Sequence, residues 1–163
     1  MILKSYELKK SNLNLQKFFL FYGKNEGLKN EILDILVKDK NKISSYEEKE
    51  ILDNENNFIE NILSKSLFEP QKFIIIKRAT DKILKIVETL HLKNFEDVTI
   101  VLNSDSLEKK SKLRSLFEKE KTLVCIPFYP DNDKKEYKSM FYFFQKKILI
   151  LIFFLNSLNS KQL

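Results

Sequence analysis

Glycine and proline are scarce in this chain, with two glycines and three prolines among 163 residues. That scarcity excludes low-complexity and linker-rich architecture. Cysteine occurs once, as Cys125, so no intrachain disulfide can form and an intracellular, cytoplasmic setting is the expectation. Histidine also occurs once, as His91, which excludes a histidine-rich metal site and any triad that needs a second histidine. No secretory signal develops, because Met1-Ile2-Leu3 is followed at once by Lys4 and Glu7. Long apolar runs are missing too. The most apolar stretch, Met140 to Leu155, falls short of the ~20 residues that a membrane span requires.

What is present suits one ordinary domain with a real core: 43% hydrophobic residues and 32% charged. The net charge of +6 invites a nucleic-acid reading, so its location matters. Residues 134–163 hold six lysines and one acid, Glu136, and account for +5 of it. The first 133 residues, with 23 basic and 22 acidic side chains, are nearly neutral. A surface that neutralises many phosphates carries its basic excess on the folded body. Direct DNA binding is therefore discounted.

Along the chain, apolar runs alternate with amphipathic stretches. Phe18 to Tyr22 reads as a buried strand, Gly23 to Gly27 as a turn, and Leu28, Ile32, Leu33, Ile35 and Leu36 recur at helical spacing. Glu47 to Leu52 reads as a weaker strand, charged enough to lie toward a sheet edge. Phe58, Ile59, Ile62 and Leu63 give a short helix that Asp53 or Asn54 can cap. Phe73 to Ile76 is a β-branched strand, and Ile83 to Leu90 a helix with Asp81 near its start. Val98 to Leu102, Leu107 to Phe117 and Leu123 to Ile126 read as strand, helix and strand. This is an α/β pattern, predicting a three-layer parallel sheet with helices on both faces.

Residues 1–133 thus form the expected domain, and 134–163 an atypical apolar and basic tail. Three readings of the tail stay open: the end of a frameshifted or truncated gene, a helix that packs on a partner, and a membrane-associated segment.

A strand followed by a glycine-bearing turn and a helix is where a phosphate-binding loop sits. Gly23, Lys24, Asn25, Glu26 and Gly27 occupy that place. A working loop needs four residues between its glycines and then Lys-Ser/Thr, so that amides cradle the phosphates and the hydroxyl holds magnesium. Here three residues intervene, no Lys-Ser/Thr follows, and Glu26 brings a carboxylate toward the phosphate position. The strand Phe73–Ile76 then runs into Lys77-Arg78, where a magnesium-binding acid is needed. The loop reads as degenerate, with no catalytic residue, cofactor or metal expected. His91 reads as an imidazole near helix-end carbonyls, Cys125 as a small core residue, and the pairs Glu47-Glu48 and Asp131/Asp133 as solvated surface or turn residues.

Ser66-Leu67-Phe68-Glu69-Pro70 stands out. Leu67-Phe68 is a large apolar pair just before a proline, in a connection expected to run over the surface. Either the pair tucks under the loop onto the core, or it is an exposed anchor that fills a partner's pocket.

At this point the chain resembles the delta subunits of the bacterial DNA polymerase III clamp loader. The likeness rests on Phe19-Leu20-Phe21-Tyr22-Gly23 with Glu26 after it, on Ser66-Leu67-Phe68 leading into Phe73-Ile74-Ile75-Ile76, and on Val98-Thr99-Ile100-Val101-Leu102, and covers roughly residues 15–131. The resemblance implies an AAA+-type, P-loop-like α/β domain that has lost its nucleotide site. It also implies that Leu67-Phe68, flanked by Ser66 and Glu69, enters a hydrophobic pocket on the beta sliding clamp and helps open the ring. The implied partners are the clamp and the gamma/tau and delta-prime loader subunits, with DNA reached only through the complex. Delta subunits continue into a helical second domain and a collar domain, whereas the likeness here stops near Asn132. Two rival readings remain: an α/β NTPase or phosphotransferase with an atypical phosphate loop, and a non-functional gene fragment.

Overall fold

Five consecutive apolar residues, Phe18 to Tyr22, cannot place one face in water, and the strand they form is buried on both sides. This is β1 (Phe18–Gly23) in a computed structural model that describes residues 2, 16–37, 43–64, 72–93 and 97–130. The chain then runs α1 (Glu26–Leu36), β2 (Ile43–Glu47), α2 (Glu48–Asp53), α3 (Glu55–Leu63), β3 (Lys72–Lys77), a 3-10 turn (Asp81–Ile83), α4 (Leu84–Leu92), β4 (Val98–Ser104), α5 (Lys112–Lys119) and β5 (Leu123–Phe128). The chain divides between Pro130 and Asp131, and all described residues lie in the first unit. The expected boundary at 133 and the readings of the tail fall outside them.

The five strands make one sheet in the order β2-β3-β4-β1-β5, every pair parallel. β1 sits between β4 and β5, with Leu20 level with Leu102 on one side and Cys125 on the other. The crossover from β1 to β2 passes over two strands toward one edge, and each later crossover steps back the other way. At constant hand, opposite directions lay helices on opposite faces. Accordingly α1 covers one face, where Ile32 packs with Phe19, Phe21, Val101, Val124, Ile126 and Phe128. On the other face α2 to α5 pack Ile51, Phe58, Ile62, Ile86, Leu90, Leu113 and Phe117 against Leu20, Ile76, Ile100 and Leu102. The expected three-layer parallel architecture is present.

Several local expectations are corrected. Glu47 to Leu52 is not a strand: the edge strand ends at Glu47 and a helix begins at Glu48. The Glu47 amide donates to Glu50 Oε2 at 3.0 Å, and the Glu47 carboxylate accepts from the Glu50 amide, a reciprocal capping box. Glu48 and Ile51, three apart, face inward together while Leu52 is exposed, a helical period rather than an alternating one. Gly27 lies inside α1, so only Lys24 and Asn25 separate strand from helix. Ile35 points outward, and α5 starts at Lys112 rather than Leu107. Asn54 stands at the start of α3 but supplies no side-chain cap. Asp81 reaches past its own turn to α5: its carboxylate accepts from Ser111 Oγ (2.6 Å), the Leu113 amide (3.0 Å) and the Lys112 amide (3.2 Å). His91 stands in the last turn of α4 as expected, and also lies 3.2 Å from Thr122 Oγ1 and edge-on to Phe18. Cys125 is fully buried in β5, and burial pushes its thiol up to about 12, so it is an inert core residue.

Candidate functional site

In open α/β sheets, ligands bind beyond the carboxyl ends of the strands, where neighbouring strands send their connections in opposite directions. In this sheet that point lies between β1 and β4, whose crossovers lead to opposite edges. The degenerate loop residues stand there.

Gly23 ends β1 at φ +125°, a conformation open to glycine, and a Cβ at this position collides with the Phe128 carbonyl. The Gly23 amide donates to the Asp105 carbonyl beyond β4. Asn25 caps α1: its Oδ1 accepts from the Leu28 amide at 3.1 Å, satisfying one of the free amides of the first turn. Lys24 is exposed. A two-residue link of this kind cannot wrap a phosphate, because the cradle of a phosphate loop is built from several consecutive amides.

One turn into the helix stands the residue that sequence reasoning missed. Lys29 is fully buried, and its ammonium donates to Glu26 Oε1 (2.6 Å), Asn103 Oδ1 (2.8 Å) and the Ser104 carbonyl (2.7 Å). Asn103 Nδ2 in turn donates to Glu26 Oε2 at 3.3 Å. Burial raises the Glu26 carboxyl, but hydrogen bonds from Lys29 and Asn103, with the charge of Lys29, outweigh it and hold the pKa below its ordinary 4.5. A signal was available: Lys29 falls between Leu28 and Ile32, Leu33 within the apolar stripe of α1, where a lysine needs an internal partner.

The network continues toward β2. Ser104 Oγ donates to the Ala79 carbonyl at 2.6 Å, and the Ala79 amide to the Asn103 carbonyl at 3.0 Å. Arg78, just past β3, adopts φ +53°, and its exposed guanidinium pairs with Glu47 at 2.7 Å. Glu48, expected in solvent, is only 8% exposed and accepts from the Thr80 amide at 2.7 Å and the Thr80 hydroxyl at 2.9 Å. Its burial is made tolerable by those partners. Lys77 lies level with Asn103 where β3 meets β4, the place at which an NTPase needs a magnesium-binding acid. Among the described residues, no group of three or more His, Cys, Asp or Glu side chains is placed to hold a metal ion.

Ser66, Leu67, Phe68 and Glu69 lie outside the described residues, but both ends of their connection are defined. It leaves α3 at Ser64 and enters β3 at Lys72, whose ammonium donates to the carbonyls of Asn61 and Ser64, each at 3.0 Å. Lys72 is at the amino end of β3, so this connection joins the sheet at the edge opposite Gly23 and Lys29. A six-residue strand separates the two edges by roughly 20 Å.

Among the described residues no helix is long and apolar enough to cross a membrane. No protein-family model matches the chain, and comparison with curated proteins likewise finds no match.

Proposed function

We propose that this chain is the clamp-contacting domain of a delta-type clamp-loader subunit, an AAA+-like module without a working nucleotide site. It engages the beta sliding clamp through Leu67 and Phe68 and helps open it, while ATP hydrolysis belongs to other subunits of the loader. The observation that carries this reading is the base of the α3–β3 connection. Lys72 ties the last carbonyls of α3 to the start of β3 and fixes where the chain leaves and re-enters the fold. An apolar pair on a connection with a fixed base loses less freedom on docking than one on a free loop.

Two further observations support it. The strand order differs from the 3-2-1-4-5-6 and 2-1-3-4-5 orders of the dinucleotide- and flavin-binding sheets. The crevice that takes a ligand in such sheets is occupied by Lys29.

Surface plasmon resonance on immobilised clamp tests the proposal. Truncating Leu67 and Phe68 together to alanine should weaken binding about 100-fold or more, while Glu69→Ala or Lys65→Ala should cost about 10-fold at most. A double variant that melts easily yet binds the clamp normally when folded makes the pair core and ends the proposal. Calorimetry with ATP and magnesium is the second arm, and micromolar binding there favours the NTPase reading instead.

A further inference from the structure

An ammonium carries three donors and no acceptor, so three oxygens exhaust it. Around Lys29 Nζ those oxygens are of three kinds: a carboxylate from α1, a side-chain amide from β4 and a peptide carbonyl from β4. The set is itself ordered. Asn103 turns its Oδ1 to the ammonium and its Nδ2 to Glu26, the one amide orientation that satisfies both neighbours. The Ser104 carbonyl is fixed by its place at the end of β4, and its hydroxyl is anchored on Ala79. The acceptors therefore have anchors besides Lys29 for their own arrangement.

We propose that Glu26, Asn103 and the Ser104 carbonyl form a binding site for a primary ammonium group, filled in this chain by the tethered ammonium of Lys29. The filled site docks α1 on β4 with no phosphate ligand. A lysine serving phosphates must present its ammonium to the crevice, whereas this one is fully buried and would surrender three hydrogen bonds to do so. The inference is argued from the bonds between α1 and β4, so failure of clamp binding at the opposite edge would leave it standing.

Chemical rescue tests it. Lys29→Ala removes three methylenes and the ammonium, the atoms that n-propylammonium supplies. The variant should melt about 10 °C or more below the parent, since a charge and two polar groups lose their partner. n-Propylammonium chloride should then raise its melting temperature saturably beyond equal concentrations of tetramethylammonium chloride, and leave the parent protein unmoved. Lys29→Met keeps the volume without the charge, and should be destabilised without responding to either salt. Equal effects of the two salts on Lys29→Ala, or a Lys29→Met protein as stable as the parent, overturn the proposal. Nitrogen-15 NMR of the unaltered chain decides the matter if Lys29→Ala does not fold. Lys29 ammonium protons should exchange with water far more slowly than those of exposed Lys24, and exchange as fast as Lys24 overturns the site.

Discussion

The two glycines look alike in the sequence and opposite in the structure, and replacing each with alanine exposes the difference. At Gly23 the backbone stands at φ +125° and an added Cβ meets the Phe128 carbonyl, a backbone atom that cannot rotate away. Holding a side-chain residue in that conformation costs about 1–3 kcal/mol, and forcing the two strands apart adds about 1–3 kcal/mol. Gly23→Ala should therefore lose about 2–6 kcal/mol. At Gly27 the backbone is helical and an added Cβ would meet Asn25 Oδ1 at 3.6 Å, an ordinary contact. Gly27→Ala should gain about 0.5–1 kcal/mol from the reduced freedom of the unfolded chain. Urea denaturation resolves both, because at ordinary slopes the first variant shifts the midpoint down by about 1 M or more and the second slightly up. Shifts of the same sign refute the assignment of Gly27 to the helix, and an unmoved Gly23→Ala midpoint refutes the closure of β1 against β5.

Two further outcomes follow from the polar network. Asp81→Asn should lower stability by about 1 kcal/mol near neutral pH, because its carboxylate serves the first turn of α5. Hydrogen bonding from Ser111, then from the Leu113 and Lys112 amides, outweighs desolvation and holds the Asp81 pKa below 3.8. A depressed folded pKa gives stability that is present above the unfolded value and lost as pH falls through the folded one. The gap between parent and variant melting temperatures should thus be constant above about pH 5 and close below pH 3.8, and a gap that widens in acid contradicts the cap. Glu48→Ala should cost about 1–3 kcal/mol by stranding the Thr80 amide and hydroxyl, and Glu48→Gln distinctly less because an acceptor oxygen remains. Equal losses in the two variants, measured by urea denaturation, rule out that role.

Four strands were legible because their sequences are apolar runs: Phe18 to Tyr22, Phe73 to Ile76, Val98 to Leu102 and Leu123 to Ile126 all sit inside observed strands. The edge strand was not, since Ile43-Ser44-Ser45-Tyr46 needs few apolar residues when one side meets water, and the charged run after it looked extended. What decided that segment was a capping box and a long-range bond from Thr80 to Glu48, and the second is invisible in a linear chain. The candidate site divides in the same way. The place of Glu26 at the carboxyl edge follows from strand, glycine and helix, which are local. Its partner Asn103 does not, because it lies 77 positions away and meets Glu26 only when β4 inserts beside β1.

The clamp-binding and NTPase readings make opposite demands on the carboxyl edge. An NTPase needs free amides at the start of α1, a lysine turned toward the crevice and an acid after β3. The Asn25 side chain already occupies the Leu28 amide, Lys29 is spent on Glu26, Asn103 and Ser104, and Lys77 and Arg78 follow β3. Binding a phosphate there would break the Lys29 contacts and set the phosphate beside the Glu26 carboxylate, two losses that a single new ion pair does not recover. A binding module asks nothing of that edge except rigidity. The same bonds that obstruct phosphate fasten α1 to β4, and Ser104 and Ala79 carry the fastening on to β3. β3 is the strand whose amino end receives the connection bearing Leu67 and Phe68. The clamp-binding proposal asks only that the sheet be stiff at its carboxyl edge and that the α3–β3 connection, which enters at Lys72 at the other, make the contact.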